Sequence, residues 1–154
     1  LKYDNTIWAW GNINGAGVSY SSPVQVGALT TWGDIKTGVN FISALQTDGT
    51  FWNWGSNANG RLGQNVDVFN LPLSPVQIGS SQTWRAFSSG NESTIGVKTD
   101  GTLWGWGYNS VGTLGLNDTA NRSSPVQIGS LSSWSLGNSG KYATGGSTNG
   151  FLSY

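Results

Sequence analysis

Nine tryptophans and seven carboxylates are the side chains through which this chain could act on another molecule. Tryptophan rings stack on sugars or pair with cations, and paired carboxylates do acid–base work or hold calcium. The carboxylates are Asp4, Asp34, Asp48, Asp67, Glu92, Asp100 and Asp118. Three of them sit in the turn pairs Asp4-Asn5, Asp48-Gly49 and Asp100-Gly101, where an aspartate bonds the local backbone. That leaves no obvious pair for acid–base chemistry. Cysteine and histidine are absent, so no thiolate nucleophile, imidazole base or zinc site can form. The oxygen-rich stretches 65–70 and 117–121 read as solvated loops rather than calcium sites. These residues predict a non-enzymatic chain with no cofactor and no resident metal.

Charge narrows the partners. Seven basic and seven acidic residues give a net charge of zero, and only 9% of the chain is charged. There is no basic stripe to neutralise a phosphate backbone, which argues against nucleic acid as a partner. No stretch approaches the roughly 18 apolar residues of a membrane-spanning helix. Nine tryptophans also argue against disorder, because disordered chains are poor in aromatic residues.

The tryptophans recur in step with other landmarks. "TDGTFWNWG" (Thr47 to Gly55) returns as "TDGTLWGWG" (Thr99 to Gly107), and "DNTIWAWG" (Asp4 to Gly11) is a third version. Pro23, Pro75 and Pro125 are spaced by 52 and 50 residues, and Trp32, Trp84 and Trp134 each follow their proline by nine. A period near 50 is typical of propeller repeats. Each turn pair, including Asn149-Gly150, predicts a type I′ hairpin in which both central residues take φ > 0. In the strand after the turn, Trp52 and Trp54 share one face and Phe51 lies on the other, so both faces must be covered. Ile7 and Leu103 repeat the Phe51 position. Ala44, Gly96 and Gly145 fall where a small residue lets a tryptophan ring lie close, and Leu62 and Leu114 are expected to tuck inward. Trp8, Trp10, Trp32, Trp52, Trp54, Trp84, Trp104, Trp106 and Trp134 are therefore read as structural repeat residues.

The ordered set D-G-T-x-W-x-W-G, N-x-x-G-x-L-G, S-P-V-Q-[IV]-G and a Trp nine residues after the proline resembles the regulator-of-chromosome-condensation repeat. Kelch repeats share the period but pair glycines in every copy, whereas here only Gly145-Gly146 is such a pair. The resemblance implies an all-β chain of propeller-type blades, each a four-stranded antiparallel sheet, in a family that forms seven-bladed propellers. The whole chain, 1–154, reads as one repeat domain with units of about 4–47, 48–99 and 100–148, and 149–154 opening a fourth. About three repeats imply a partial or oligomer-completed propeller, since closed rings need about 4–8 blades. The first repeat departs from the pattern. Gly11 lies 12 residues before Pro23, against 20 from Gly55 to Pro75 and 18 from Gly107 to Pro125, and G-x-L-G is missing there. One branch of the family senses ultraviolet light through tryptophans interleaved with arginine, but here Trp84-Arg85 is the sole Trp-Arg pair.

Three functions follow. The first is a structural or protein-interaction module, with protein partners or copies of itself in a larger assembly. Fifty Asn, Ser and Thr residues in 154 resemble bacterial and phage members, including fibre and particle-surface components, so a virion or cell-surface location is weakly favoured over a cytoplasmic one. The second is a regulatory propeller that binds a small GTPase or chromatin. The third is a carbohydrate-binding attachment surface that uses exposed tryptophan. Partner-facing residues are expected in the irregular loops 60–73 and 112–124, namely Arg61, Phe69, Leu71, Asn117, Asp118 and Arg122.

Overall fold

The computed structural model of the chain describes residues 1–12, 19–65, 72–135, 144–145 and 148–149. Its strands are β1 (Trp8–Asn12), β2 (Ser19–Gln25), β3 (Trp32–Gly38), β4 (Phe41–Gln46), β5 (Phe51–Gly55), β6 (Val76–Gln77), β7 (Trp84–Ser89), β8 (Ser93–Lys98), β9 (Leu103–Gly107), β10 (Arg122–Gln127), β11 (Thr144–Gly145) and β12 (Thr148–Asn149). They form antiparallel sheets in chain order: β1-β2, then β3-β4-β5-β6, then β7-β8-β9-β10, then β11-β12. The expected hairpins are β4-β5 and β8-β9. The proline-containing phrase supplies the outer strand of each of the first three sheets, with Pro23 in β2, Pro125 in β10 and Pro75 just ahead of β6. Proline has no N–H to donate, so an edge is where it does no damage.

Period two sets the core. On β5 the Phe51 ring is fully buried against the third sheet, lying 5.7 Å from Trp84, 4.7 Å from Phe87 and 5.4 Å from Trp106, centroid to centroid. On the other face Trp52 and Trp54 lie 6.0 and 6.3 Å from Trp32, in a cluster with Ile7, Ile42 and Ala44. The second sheet is therefore apolar on both faces and covered on both. Small residues make this closeness possible. Ala44 is paired with Trp52 and Gly96 with Trp104. A Cβ on Gly96 would stand 2.7 Å from Cζ3 of Trp84. Leu62 and Leu114 are buried, as the repeat predicts.

The hairpin turns differ from the expected type. Gly49 and Gly101 have φ of +85° and +79°, but Asp48 and Asp100 are not in the positive-φ region. The N–H of Gly49 donates to Gln46 O and that of Gln46 to Thr50 O, and Gly101, Lys98 and Thr102 repeat this. Each turn is thus a three-residue loop, a type I turn followed by one left-handed residue, rather than type I′. The aspartate stays right-handed because its carboxylate reaches forward to the next threonine. In the first copy Asn5, at φ +60°, takes the glycine position, which asparagine tolerates better than most residues. Gly150 of the fourth turn pair lies outside the described residues.

The same turns join neighbouring sheets. The carbonyls of Asn5, Gly49 and Gly101 accept the N–H of Trp32, Trp84 and Trp134 at 3.3, 3.1 and 3.1 Å. Each post-proline tryptophan is thereby hooked to the turn of the preceding sheet. Sheet boundaries consequently fall at Trp32 and Trp84, offset from sequence units that start at the turn. Replacing Phe51 with Ala should cost about 3–5 kcal/mol by opening the three-ring contact. Gly96→Ala should cost about 1–3 kcal/mol by overpacking Trp84. Urea denaturation of both variants measures the two effects.

Candidate functional site

Because Phe41 pairs with Gly55 and Ser93 with Gly107, the β3-β4 turn, loop 56–65, the β7-β8 turn and loop 108–121 share one end of the second and third sheets. The aspartate turns occupy the other end. Each long loop is organised by one buried asparagine. Oδ1 of Asn57 accepts the N–H of Leu62 at 3.1 Å, and Oδ1 of Asn109 accepts that of Leu114 at 2.9 Å. Five residues apart, these contacts fold the loop over its leucine. Nδ2 of Asn53 then holds the Leu62 carbonyl at 3.0 Å.

Arg61, expected to face a partner, is turned inward and only 4% exposed. Its Nε donates to Ala58 O at 2.8 Å, Nη1 to Val39 O at 2.7 Å and Nη2 to Glu92 Oε1 at 3.1 Å. The neighbouring glycine allows this, because a Cβ on Gly60 would stand 2.6 Å from Cα of Ser123. Arg61 therefore ties the second sheet to the β7-β8 turn of the third. Thr113 takes the matching position in the next loop and bonds Tyr108 O at 2.6 Å instead.

The two loops are also linked to each other. Asn59 Nδ2 donates to Glu92 Oε2 at 3.0 Å, and Asn121 Nδ2 donates to Asn59 Oδ1 at 3.2 Å. The N–H of Asn109 donates to Asn121 Oδ1 at 2.8 Å. Asp118 accepts the Ala120 N–H and Asn109 Nδ2, both at 3.0 Å, and pairs with Arg122. Those contacts, with the Ala120 N–H foremost, hold the Asp118 carboxyl below its ordinary value. Asn117 (φ +60°) and Asp118 are exposed, and Arg122 is half-buried. Phe69 and Leu71 lie outside the described residues. Sequence reading missed Val111, an aliphatic residue 63% exposed at the tip of loop 108–121. The arrangement can recognise a surface through amide donors and acceptors around one apolar tip. Among the described residues no group of three or more acidic, histidine or cysteine side chains could hold a metal.

At the opposite end a relay repeats three times. Thr6, Thr50 and Thr102 donate Oγ1–H to Asp4, Asp48 and Asp100 at 2.6, 2.7 and 2.6 Å. The same hydroxyls accept the indole N–H of Trp8, Trp52 and Trp104 at 2.9, 2.9 and 2.8 Å. The threonine contacts hold all three carboxyls below the ordinary 3.8, chiefly through the hydroxyl at Asp4 and Asp100 and through the backbone N–H at Asp48. Lys98 Nζ lies 3.9 Å from the Trp104 ring centroid, and Lys2 Nζ lies 5.1 Å from that of Trp8. Of the nine tryptophans only Trp10, at 64%, is exposed.

Four-stranded antiparallel sheets packed face to face in series, with tryptophan on one face of the third strand, define these as successive blades of a β-propeller. The chain belongs to the Regulator of chromosome condensation (RCC1) repeat family, whose pattern matches residues 48–97 and 100–147, with a second pattern for the same repeat at 84–113. It is 31% identical over 121 residues to the ultraviolet-B receptor UVR8 of Arabidopsis thaliana, covering 75% of this chain and 28% of the receptor. It is 34% identical over 83 residues to the probable E3 ubiquitin-protein ligase HERC3 of Homo sapiens, covering 53% of this chain and 8% of the ligase. Among solved structures, Prp20p of Saccharomyces cerevisiae superposes with a TM-score of 0.72 at 18% identity, covering 84% of this chain and 35% of that one. Human WBSCR16 superposes with a TM-score of 0.69 at 20% identity, covering 84% and 34%. The chain thus spans about a third or less of each.

Arg61→Ala should lower stability by about 2–4 kcal/mol, because Val39 O and Ala58 O lose their guanidinium donor and Glu92 keeps only Asn59. Arg122→Ala should cost under about 1 kcal/mol, since its pair is open to water. Equal shifts in the urea midpoint would contradict this ranking. The relays set an acid limb. Folded-state carboxyls held below 3.8 stabilise the fold above that value and lose their contribution as pH falls through the lowered values. Melting temperatures should be flat from pH 7 to about 5 and fall below about 4. The Asp48→Asn/Asp100→Asn variant should show a shallower fall.

Proposed function

We propose that this chain is a protein-interaction module, a rigid set of propeller blades that offers loops 56–65 and 108–121 to a protein partner. The observation that carries this reading is the preorganisation of those loops. They are bonded to each other through Asn59 and Asn121 and anchored by the buried Asn57, Asn109 and Arg61. A surface ordered before it meets its partner loses little conformational entropy on binding. Arg61 faces Glu92 and Arg122 faces Asp118, so the surface is balanced in charge and suits a partner read by hydrogen bonds.

Two structures of one relative in fold support a protein partner. Prp20p is described with its binding to Gsp1p and histones, and yeast RCC1 (Prp20) has been solved bound to Kap60. A regulatory propeller acting on a small GTPase belongs to the same reading. The carbohydrate alternative needs exposed ring faces, and among the tryptophans only Trp10 is exposed, with Trp8, Trp52, Trp104 and Trp134 half-buried. The Asn, Ser and Thr content keeps a place in a bacterial or phage surface assembly as the setting favoured by composition.

Photo-crosslinking tests the reading in the whole protein. A benzophenone side chain at Val111 should capture a protein partner, and one at Leu131, on the opposite end and 61% exposed, should not. Capture from Leu131 alone, or from neither position, would sink the proposal.

A further inference from the structure

An asparagine followed by glycine loses its side-chain amide more readily than other asparagines, because glycine puts no side chain in the way of its own nitrogen. The described residues hold five asparagines at positive φ, namely Asn5, Asn40, Asn59, Asn65 and Asn117. Only Asn59 among them is followed by glycine. It lies half-buried in loop 56–65, with φ of +60° and ψ of +16°. Packing fixes its neighbour as glycine, since Gly60 has φ of +74° and a Cβ there would stand 2.6 Å from Cα of Ser123. In the next loop the corresponding pair is Val111-Gly112, which has no amide to lose. The reactive pair belongs to one copy of this loop alone.

The fold restrains both reacting groups. The N–H of Gly60 donates to Asn57 O at 3.0 Å, which opposes the loss of the proton that attack by this nitrogen requires. The side chain of Asn59 is tied twice. Its Nδ2 donates to Glu92 Oε2 at 3.0 Å, and its Oδ1 accepts from Asn121 Nδ2 at 3.2 Å. Reaction must therefore wait for the loop to open locally, and these few contacts set how often it does.

We propose that Asn59 is a self-modification site, converted to aspartate or isoaspartate through the Gly60 nitrogen, and that the conversion cuts the tie between loop 56–65 and Glu92. The Gly60 nitrogen gives up its proton and bonds to Cγ of Asn59. The Cγ–Nδ2 bond breaks, and Nδ2 leaves as ammonia with that proton. Water then opens the cyclic imide. Addition at Cγ breaks the new bond and yields aspartate; addition at the main-chain carbon yields isoaspartate, with an extra carbon in the main chain. Either product replaces a donor with a carboxylate that faces Glu92 Oε2, and like charges so close disfavour each other. Arg61 Nη2 already serves Glu92 Oε1, so a single guanidinium would face both carboxylates. Because ammonia is lost, the amide does not return. The proposal concerns the chemistry of the loop itself and holds whether or not the loop meets a partner.

The whole protein and a peptide of residues 56–64, SNANGRLGQ, are incubated side by side in warm, mildly alkaline buffer, and conversion is followed by mass-spectrometric peptide mapping. Asn59 should convert in the whole protein about tenfold or more slowly than in the peptide, since reaction there waits on opening. Asn65 and Asn117 should keep their amides over the same time. Asn121→Ala removes one tie and should speed conversion about three- to tenfold, the worth of one hydrogen bond. If that variant disturbs its own loop, Asn121→Asp keeps the acceptor for the Asn109 N–H and removes the same donor. As a mimic of the product, Asn59→Asp should unfold at a lower urea concentration than Asn59→Ala, which loses the same bonds without adding charge. An amide retained at Asn59 after the peptide has fully reacted would overturn the proposal. So would an unchanged rate in the Asn121 variants, or an Asn59→Asp protein as resistant to urea as Asn59→Ala.

Discussion

The fold depends on a strand whose two faces are both apolar. β5 presents Phe51 to one neighbour and Trp52 with Trp54 to the other, and β9 repeats this with Leu103 against Trp104 and Trp106. A sheet built around such a strand cannot leave either face in water, so each sheet must be sandwiched. Serial stacking follows, and a series of twisted sheets stacked face to face is the architecture of a propeller. The packing also decides where polar groups can go. With the sheet faces taken up largely by rings and aliphatic side chains, a polar group inside a sheet needs a partner there, as Asn53 on β5 has in the Leu62 carbonyl.

The offset between sequence repeat and sheet follows from how the seams are held. A unit that begins at an aspartate turn supplies the last two strands of one sheet and the first two of the next. Its turn carbonyl accepts the N–H of the tryptophan that opens the following sheet. Its aromatic strand packs on that same tryptophan, as the 5.7 Å contact of Phe51 with Trp84 shows. Hairpin and seam therefore share residues, so no sheet can come apart without breaking contacts of its neighbour. The aspartate–threonine–tryptophan relay adds to this. It fixes the first ring of each W-x-W phrase through a hydrogen bond that pure packing would not supply.

Much of this was legible in the sequence because period-two alternation and exact recurrence reinforce each other. The hairpins β4-β5 and β8-β9, the two-sided strand, the small residues at Ala44 and Gly96 and the inward Leu62 and Leu114 all follow from those two signals. The turn type was not legible. Asp-Gly serves type I′ turns and three-residue loops alike, and here the threonine two residues on settles the choice by drawing the carboxylate forward. Thr50 and Thr102 carried that signal in D-G-T. Arg61 misled for a different reason. An arginine in a polar, glycine-rich loop is usually solvated, and its burial depends on a carbonyl at Val39 and a carboxylate at Glu92 that lie 22 and 31 residues away. No local pattern encodes such a meeting. The exposed apolar tip at Val111 has no apolar counterpart among the repeated residues and so left no periodic trace.

Recurrence separates structural from individual roles in such a chain. Positions that the first three copies keep, the W-x-W rings, the turn aspartate and the post-proline tryptophan, are spent on seams, and a function placed on them would compromise the stack. Individual character must then sit where the copies disagree. Arg61 against Thr113 gives one loop a tie across the seam and its neighbour a purely local bond. Asn59 against Val111 makes one tip an amide that reaches Glu92 and Asn121, and the other an exposed aliphatic group. Both differences lie at the end away from the aspartate turns. There the buried Asn57 and Leu62 recur as Asn109 and Leu114, while the residues between them differ without disturbing the core.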